Sequence, residues 1–479
     1  MVAANYMELD EFDYQCVFSH RYGSREMRQV WTEEGKRLLW RTIWTELAHA
    51  QADLGLISRA QAQDIEANRH RLDMARSLEI EAQTRHDLLS EARCLAEVCA
   101  VGGGVVHLGA TSADIEDNAD ALRVRRALHI LVPRMEALLH AFTLKVDALR
   151  AVATMGYTHL QAAEPTTVGY RMAQHLYDLH EDYQQLRQLI PSVKGKGMTG
   201  AVGTSASYIA LFMAKGIAHA EAVQLHARME ALVMQALELE AHPVSTQIYT
   251  RKQDLRVANV LASIAASIYK FCQDLRLLQS SAMSEWYEPR GAQQVGSSAM
   301  PFKRNPTTSE NVDGICRIAM ALPAIFLNNA AHTIFERTLD DSPGRAFGLP
   351  TLFLALDDVI AKCEAIVTGL EVNQAAIDDN NRKYHALTIT EKLLLVCVTK
   401  GANRQHLHEH LRGLCFSLSD ARNRGGLDIQ AKVRADQLVA SYLSAAEIDE
   451  IFGSHGYIGN CEERCQALTT LVRQSLNRI

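Results

Sequence analysis

Apolar positions recur at intervals of three and four along most of this chain. The clearest run is Val257, Leu261, Ile264, Ile268, Phe271, Leu275 and Leu278, the spacing that lines one face of a helix. No Gly or Pro interrupts 251–287. The pattern predicts one helix over those residues, on the order of 50 Å long at ~1.5 Å per residue. Further helices are expected over 30–54, from 114 onward with a kink or restart at Pro133, over 165–191 with Pro165 in its first turn, and over 311–328 and 349–370. No period-two run or internal repeat stands out. The expected fold is all-α in three segments: 1–111, a central long-helix bundle over 112–371, and a C-terminal domain over 372–479. Asn380-Asn381-Arg382 is read as a break early in the last. A helix this long exceeds what one small domain needs and suggests a bundle shared between subunits.

The helical pattern stops at Pro289, Gly291, Gly296, Pro301 and Pro306, so this stretch is a loop. It carries Ser297, Ser298, Lys303 and Asn305: hydroxyls, a cation and an amide within ten residues. Three other polar segments sit at loops or helix edges, at 84–87, 111–112 and 158–161. Gly102-Gly103-Gly104 lacks the Gly-Lys-Ser/Thr of a phosphate loop and reads as a tight turn. The Gly-rich stretch 194–203 reads as a mobile connector that could pass near a ligand.

Composition narrows the classes. Of 479 residues, 48% are apolar and 22% charged, as in soluble globular proteins. A net charge of −7 argues against a general nucleic-acid surface, whereas a phosphorylated small molecule needs only local positive charge. Ten cysteines without a Cys-x-x-Cys pair suggest reduced thiols in the cytoplasm. Cys461, Cys465 and His455 make a weak zinc pattern. His406, His408 and His410 alternate, which splits them between faces of a helix, so no metal is expected there. Residues 1–12 are acidic with no signal-peptide core, and no apolar run approaches a membrane span.

The four polar segments together offer what β-elimination needs. A base removes a C–H proton beside a carboxylate, donors and a cation hold the charge that develops, and an acid protonates the leaving atom.

The stretch Gly296-Ser-Ser-Ala-Met-Pro-Phe-Lys-Arg-Asn-Pro306 resembles the signature of the fumarase/aspartase superfamily, as does Gly109-Ala-Thr-Ser112. Four further motifs resemble the adenylosuccinate lyase family in particular. They are Thr84-Arg-His-Asp87, Gly156-Tyr-Thr-His-Leu-Gln161, Gln247-Ile-Tyr-Thr-Arg-Lys252 and Phe335-Glu-Arg-Thr-Leu-Asp-Asp-Ser342. The resemblance covers nearly the whole chain. It implies cleavage of adenylosuccinate into AMP and fumarate, and the same reaction on the succinyl-aminoimidazole-carboxamide ribotide. It also implies a homotetramer with sites shared between subunits, and no cofactor.

The resemblance assigns roles by position. His159 is the general acid, oriented by Glu310, and Ser297 is the base. Lys303 and Asn305 hold the succinyl carboxylate, with His86, Thr111, Ser112, Thr158 and Gln247 at the same end. Arg85 and Asp87 flank His86 in its motif. Arg21, Tyr22, Arg337 and Ser342 hold the nucleotide, chiefly its phosphate. The sequence departs from the family at two points. Asn311 follows Glu310 where some members have Arg. The family's Arg four residues after Ser342 is Ala346 here, with Arg345 one earlier as a candidate replacement. Another fumarate-releasing lyase, such as argininosuccinate lyase, is the alternative enzyme. A crystallin-like structural protein is the alternative without catalysis, and a ligand-binding regulator is a third.

Overall fold

The computed structural model describes residues 15–291, 293, 297–422, 429–453 and 457–477. Residues 1–12, Gly296 and His455, used above, lie outside the described residues. The described chain is mostly helix, with two two-stranded sheets as exceptions. It forms two compact units, each assembled from three stretches of sequence.

The first unit contains residues up to 136, 181–269 and 312–362. Its helix Glu33–Asp53 starts at Thr32, whose hydroxyl accepts the Gly35 N–H at 3.1 Å. One face buries Leu39, Trp40, Ile43, Trp44 and Leu47. Arg37 and Arg41 are buried on the same helix and share Glu91, at 3.2 and 2.6 Å. Burying these charges is tolerable because each is paired. The helix Met74–Thr84 ends at Arg85, which is left-handed at φ 55°, and Asp87–Val98 follows directly.

The glycines at 102–104 do form a tight turn, with a short 3-10 helix at Gly103–Val105. The amides of Val101 and Gly102 donate to Asp64 at 2.7 and 2.8 Å, so they are not a phosphate cradle. The stretch 194–203 is tied down rather than loose. Lys196 is fully buried and donates to Asp114, to Thr199 Oγ1 at 3.0 Å and to the Gly200 carbonyl at 3.1 Å.

The second unit contains residues 137–180, 270–311 and 363 onward. It holds a hairpin absent from the sequence reading: Ala153–Thr158 pairs antiparallel with Gln161–Thr167. Pro165 therefore lies in a strand, and the helix begins at Val168. A second strand pair joins Trp286–Tyr287 to Glu371–Val372. The helix expected over 251–287 accordingly spans Lys252–Leu278, roughly 40 Å. Asn380-Asn381-Arg382 is no break, for it lies inside the helix Gln374–Thr388. A C-terminal core gathers Ile389, Leu393, Leu407, Val439 and Ile448.

Two stretches, Lys252–Leu278 and Thr307–His332, are long and apolar enough to cross a membrane by length and composition alone, contrary to the sequence reading. In the first, all seven apolar positions named above are buried in the protein. The second consists of two helices that meet at Leu322 and Pro323.

Candidate active site

In the first unit the expected binding residues lie where helices start and stop. His86 caps Asp87–Val98: its Nδ1 accepts the Leu89 N–H at 3.4 Å. That leaves the proton of a neutral imidazole on Nε2, which lies 3.3 Å from the Ser112 hydroxyl. Ser112 opens the helix Ser112–Leu149, and the Thr111 N–H donates to Asp114 at 3.0 Å. This fixes Thr111, Ser112 and His86 as one polar group. Arg85, flanking it, is exposed, and Asp87 lies 4.0 Å from Lys36.

Gln247 and Arg337 also meet. Arg337 Nη1 donates to Gln247 Oε1 at 3.2 Å, and its Nη2 lies 3.9 Å from Glu116. Ser342 opens onto Asp341 at 3.4 Å, and Asp341 accepts Arg251 Nε at 2.5 Å. Arg21 is exposed, while the Tyr22 ring packs by Phe18 at 5.3 Å and under the Lys362 ammonium at 4.9 Å.

Arg345 does not fit the role of a substitute phosphate ligand. It is 8% exposed. Its nitrogens face Asp254 at 2.8 Å, Asp120 at 3.1 Å, Asp117 at 3.4 Å and the Tyr249 hydroxyl at 2.8 Å. Burial pushes the Asp117 carboxyl up, but Arg251 and Arg345 outweigh it and hold the group below its ordinary range. A guanidinium so engaged is a structural cation.

In the second unit His159 sits at the exposed tip of the hairpin. His159 and Leu160 form its two-residue turn, with φ of 53° and 61°, between the paired Thr158 and Gln161. Two left-handed residues in succession make a type I′ turn, where Asn-Gly is the usual choice. A histidine and a leucine in that conformation store strain, which is found most often at functional sites. The hairpin is anchored from beneath by Glu285, which is fully buried. Glu285 accepts from Thr154 at 3.2 Å, Arg171 at 3.1 Å and Asn380 at 2.8 Å.

The Ser297 hydroxyl accepts two backbone N–H groups, from Met300 at 3.1 Å and Ala299 at 3.3 Å. Ser298 and Lys303 are exposed, and Asn305 is half-buried. Between the last two, Arg304 stacks over Tyr287 at 4.5 Å and pairs with Glu371 at 2.9 Å. Buried Glu288 then caps the helix Thr307–Ala321, accepting the N–H groups of Thr308 and Ser309, each at 2.9 Å. A carboxylate is favourable at that end of the helix dipole. It fixes the turn that presents Glu310. Within one chain Glu310 pairs with Arg276 at 3.6 Å; the expected contact with His159 is not made among the described residues.

Glu285 and Glu288 were missed in the sequence because their partners lie 20 or more positions away. Glu116 was missed too, although it stands one helical turn after Ser112, and that spacing was a usable signal. Among the described residues no three His, Cys, Asp or Glu side chains are grouped to hold a metal ion. Cys461 and Cys465 are buried in the helix Cys461–Asn477, and His410 pairs with Asp436 at 2.7 Å.

The helical fold is shared with a solved fumarate lyase and a solved lactonizing enzyme. A fumarate lyase from Mesorhizobium sp. BNC1 superposes with a TM-score of 0.82 at 20% identity, covering 95% of this chain and 99% of that one. A 3-carboxy-cis,cis-muconate lactonizing enzyme from Pseudomonas putida gives 0.81 at 23%, covering 96% and 99%. Residues 18–321 match the family described as Lyase, so the class is a lyase built on the fumarase-type helical fold. Residues 386–468 match the family described as Adenylosuccinate lyase C-terminus. The adenylosuccinate lyase of Pyrococcus abyssi is 34% identical over 465 residues, 96% of this chain and 98% of that protein. Those of Schistosoma mansoni and Saccharomyces cerevisiae are 34% and 31% identical, covering 84% and 95% of this chain and 83% and 94% of theirs. The chain belongs to the adenylosuccinate lyase family.

Proposed function

We propose that this protein eliminates fumarate from adenylosuccinate, releasing AMP, and from the succinyl-aminoimidazole-carboxamide ribotide in the same way. The observation that carries the reading is the Ser297 hydroxyl, which accepts two backbone N–H groups at 3.1 and 3.3 Å on a loop that also bears Lys303 and Asn305. A serine is a very weak base until its anion is stabilised, and two donors aimed at the oxygen lower that cost.

Ser297 Oγ takes the proton from the succinyl carbon next to a carboxylate. Lys303 and Asn305 hold that carboxylate as it gains charge. The electron pair of the broken C–H bond forms the C=C bond of fumarate. The C–N bond breaks, its electron pair stays on nitrogen, and His159 protonates that nitrogen. The pair His86 and Ser112, with Thr111, Thr158 and Gln247, binds the succinyl end. Arg337, Arg21, Tyr22 and Ser342 bind the nucleotide and its phosphate.

The working form is a homotetramer with composite sites, in which Glu310 of one chain orients His159 of another. Within one chain Glu310 pairs with Arg276 at 3.6 Å and makes no contact with His159 among the described residues, which supports a Glu310 supplied by a neighbouring chain. None of the ten cysteines is in a disulfide among the described residues, which fits a reducing, cytoplasmic setting. Incubation with adenylosuccinate, the succinylated ribotide and argininosuccinate, each followed for fumarate release, tests the reading. Release from the first two supports it, and release from argininosuccinate alone overturns it.

A further inference from the structure

Glu116 lies one turn beyond Ser112 on the helix Ser112–Leu149, on the same face. Its Oε2 stands 3.9 Å from Nη2 of Arg337, while Gln247 takes Nη1 at 3.2 Å. The guanidinium is thus held from two sides by residues of two separate segments. Both charged side chains are largely withdrawn from water, with 18% of Arg337 and 24% of Glu116 exposed. Nε of Arg337 is buried and has no hydrogen-bond partner among the described residues. Arg337 therefore holds a donor in reserve beside a carboxylate that is short of direct hydrogen-bond contact.

The charged groups that face Glu116 are Asp87 on the helix Asp87–Val98, Arg337, and Asp117 and Asp120 on its own helix. Three are like charges and one is a cation. Burial, and then the Asp87 charge, push the Glu116 carboxyl up to about 7, against the pull of Arg337. This carboxylate is costly where it stands, and Arg337 is the group that makes it tolerable.

We propose that Glu116 acts on the substrate through Arg337: when ionised, it competes with the anionic end of the substrate for the guanidinium. The inference rests on the reading of Arg337 as a phosphate-binding residue. When Glu116 is neutral, the full charge of Arg337 meets the incoming phosphate. When Glu116 is ionised, the phosphate must displace a carboxylate from Arg337 and bear its repulsion. Anion affinity then falls as pH rises through neutrality. The phosphate's own second ionisation, with a pKa of about 6, acts in the opposite direction, so the ligand cannot cause such a fall.

The test is the dissociation constant of AMP, measured by calorimetry near pH ~6 and pH ~8.5 for the wild type, Glu116→Gln and Arg337→Ala. Glu116→Gln should match the wild type within about twofold at the lower pH and bind about three- to tenfold tighter at the higher pH, the scale of one ion pair removed. A ratio that is the same at both pH values, or weaker binding by Glu116→Gln at both, overturns the proposal, because a merely structural glutamate gives no pH-dependent gain. Arg337→Ala should weaken AMP binding at both pH values. If it does and the Glu116 ratio is flat, only the role of Glu116 fails. If Arg337→Ala leaves AMP affinity unchanged, the phosphate reading has failed and the proposal falls with it. Should Glu116→Gln not fold, the wild-type profile decides. AMP affinity must fall between pH ~6.5 and ~8.5, and a flat or rising profile overturns the proposal.

Discussion

The hydroxyl oxygen of Ser297 lies 3.1 Å from the backbone nitrogen of Met300 and accepts its N–H. The N–H of Ala299 reaches the same oxygen at 3.3 Å. Two donors on one hydroxyl favour its anion, and they single Ser297 out from the exposed Ser298 beside it.

Ser297→Ala should therefore keep its circular dichroism and lose turnover by on the order of 10²–10⁴-fold in kcat, the usual worth of a general base. Ser298→Ala should stay within about tenfold of the wild type. Steady-state kinetics on both variants decides, and an active Ser297→Ala with an inactive Ser298→Ala reverses the assignment.

Arg345 separates a structural cation from a ligand. Arg345→Met leaves Asp117, Asp120 and Asp254 short of their shared counter-charge, which should cost about 3–5 kcal/mol and lower Tm by many degrees in a thermal scan. An unchanged Tm with weakened AMP inhibition would instead make Arg345 a phosphate ligand.

Much of the fold was legible because its signal is local. The seven apolar positions from Val257 to Leu278 recur at helical spacing, and all are buried. The hairpin at 153–167 was not legible. Its strands lack clean alternation, and its turn uses His159 and Leu160 rather than Asn-Gly. Asn380 and Asn381 looked like a break by propensity. They are helical because Asn380 bonds Glu285 at 2.8 Å and Asn381 bonds the Ala153 carbonyl at 3.1 Å. Such tertiary partners override local preference and leave no trace in neighbouring residues. In the candidate site the motifs marked Ser297, His86 and Arg337, but the packing around them came only with the structure. Arg345 shows the limit: one position's offset from a motif looked like compensation, and three aspartates distant in sequence gave it another task.

Glu116 predicts a pH dependence of stability. Burial, and then the Asp87 charge, push its carboxyl up to about 7 from an ordinary value of 4.5. Between those values the native state binds more protons than the unfolded one, so stability falls as pH rises through that window. Glu116→Gln should remove that loss, worth about 1–3 kcal/mol above neutrality and nothing below pH ~4.5. Urea unfolding at both ends of the window measures it, and equal gains at both ends would show that the Glu116 charge is not the cause.

Composite sites predict complementation. His159→Asn suits the test because Asn tolerates the left-handed backbone at φ 53°. Mixed with Ser297→Ala after dissociation and reassociation, it should restore about a quarter of wild-type activity, since each of two contributing chains is suitable half the time. Mixed tetramers confirmed by native mass spectrometry with no activity would place both residues on one chain.

The decisive experiment is proton NMR of the purified protein incubated with adenylosuccinate. AMP and fumarate should appear in equal amounts, with the initial rate for Ser297→Ala reduced at least about a hundredfold. Intact adenylosuccinate after prolonged incubation with folded wild-type protein, or equal turnover by Ser297→Ala, would contradict the proposed reaction.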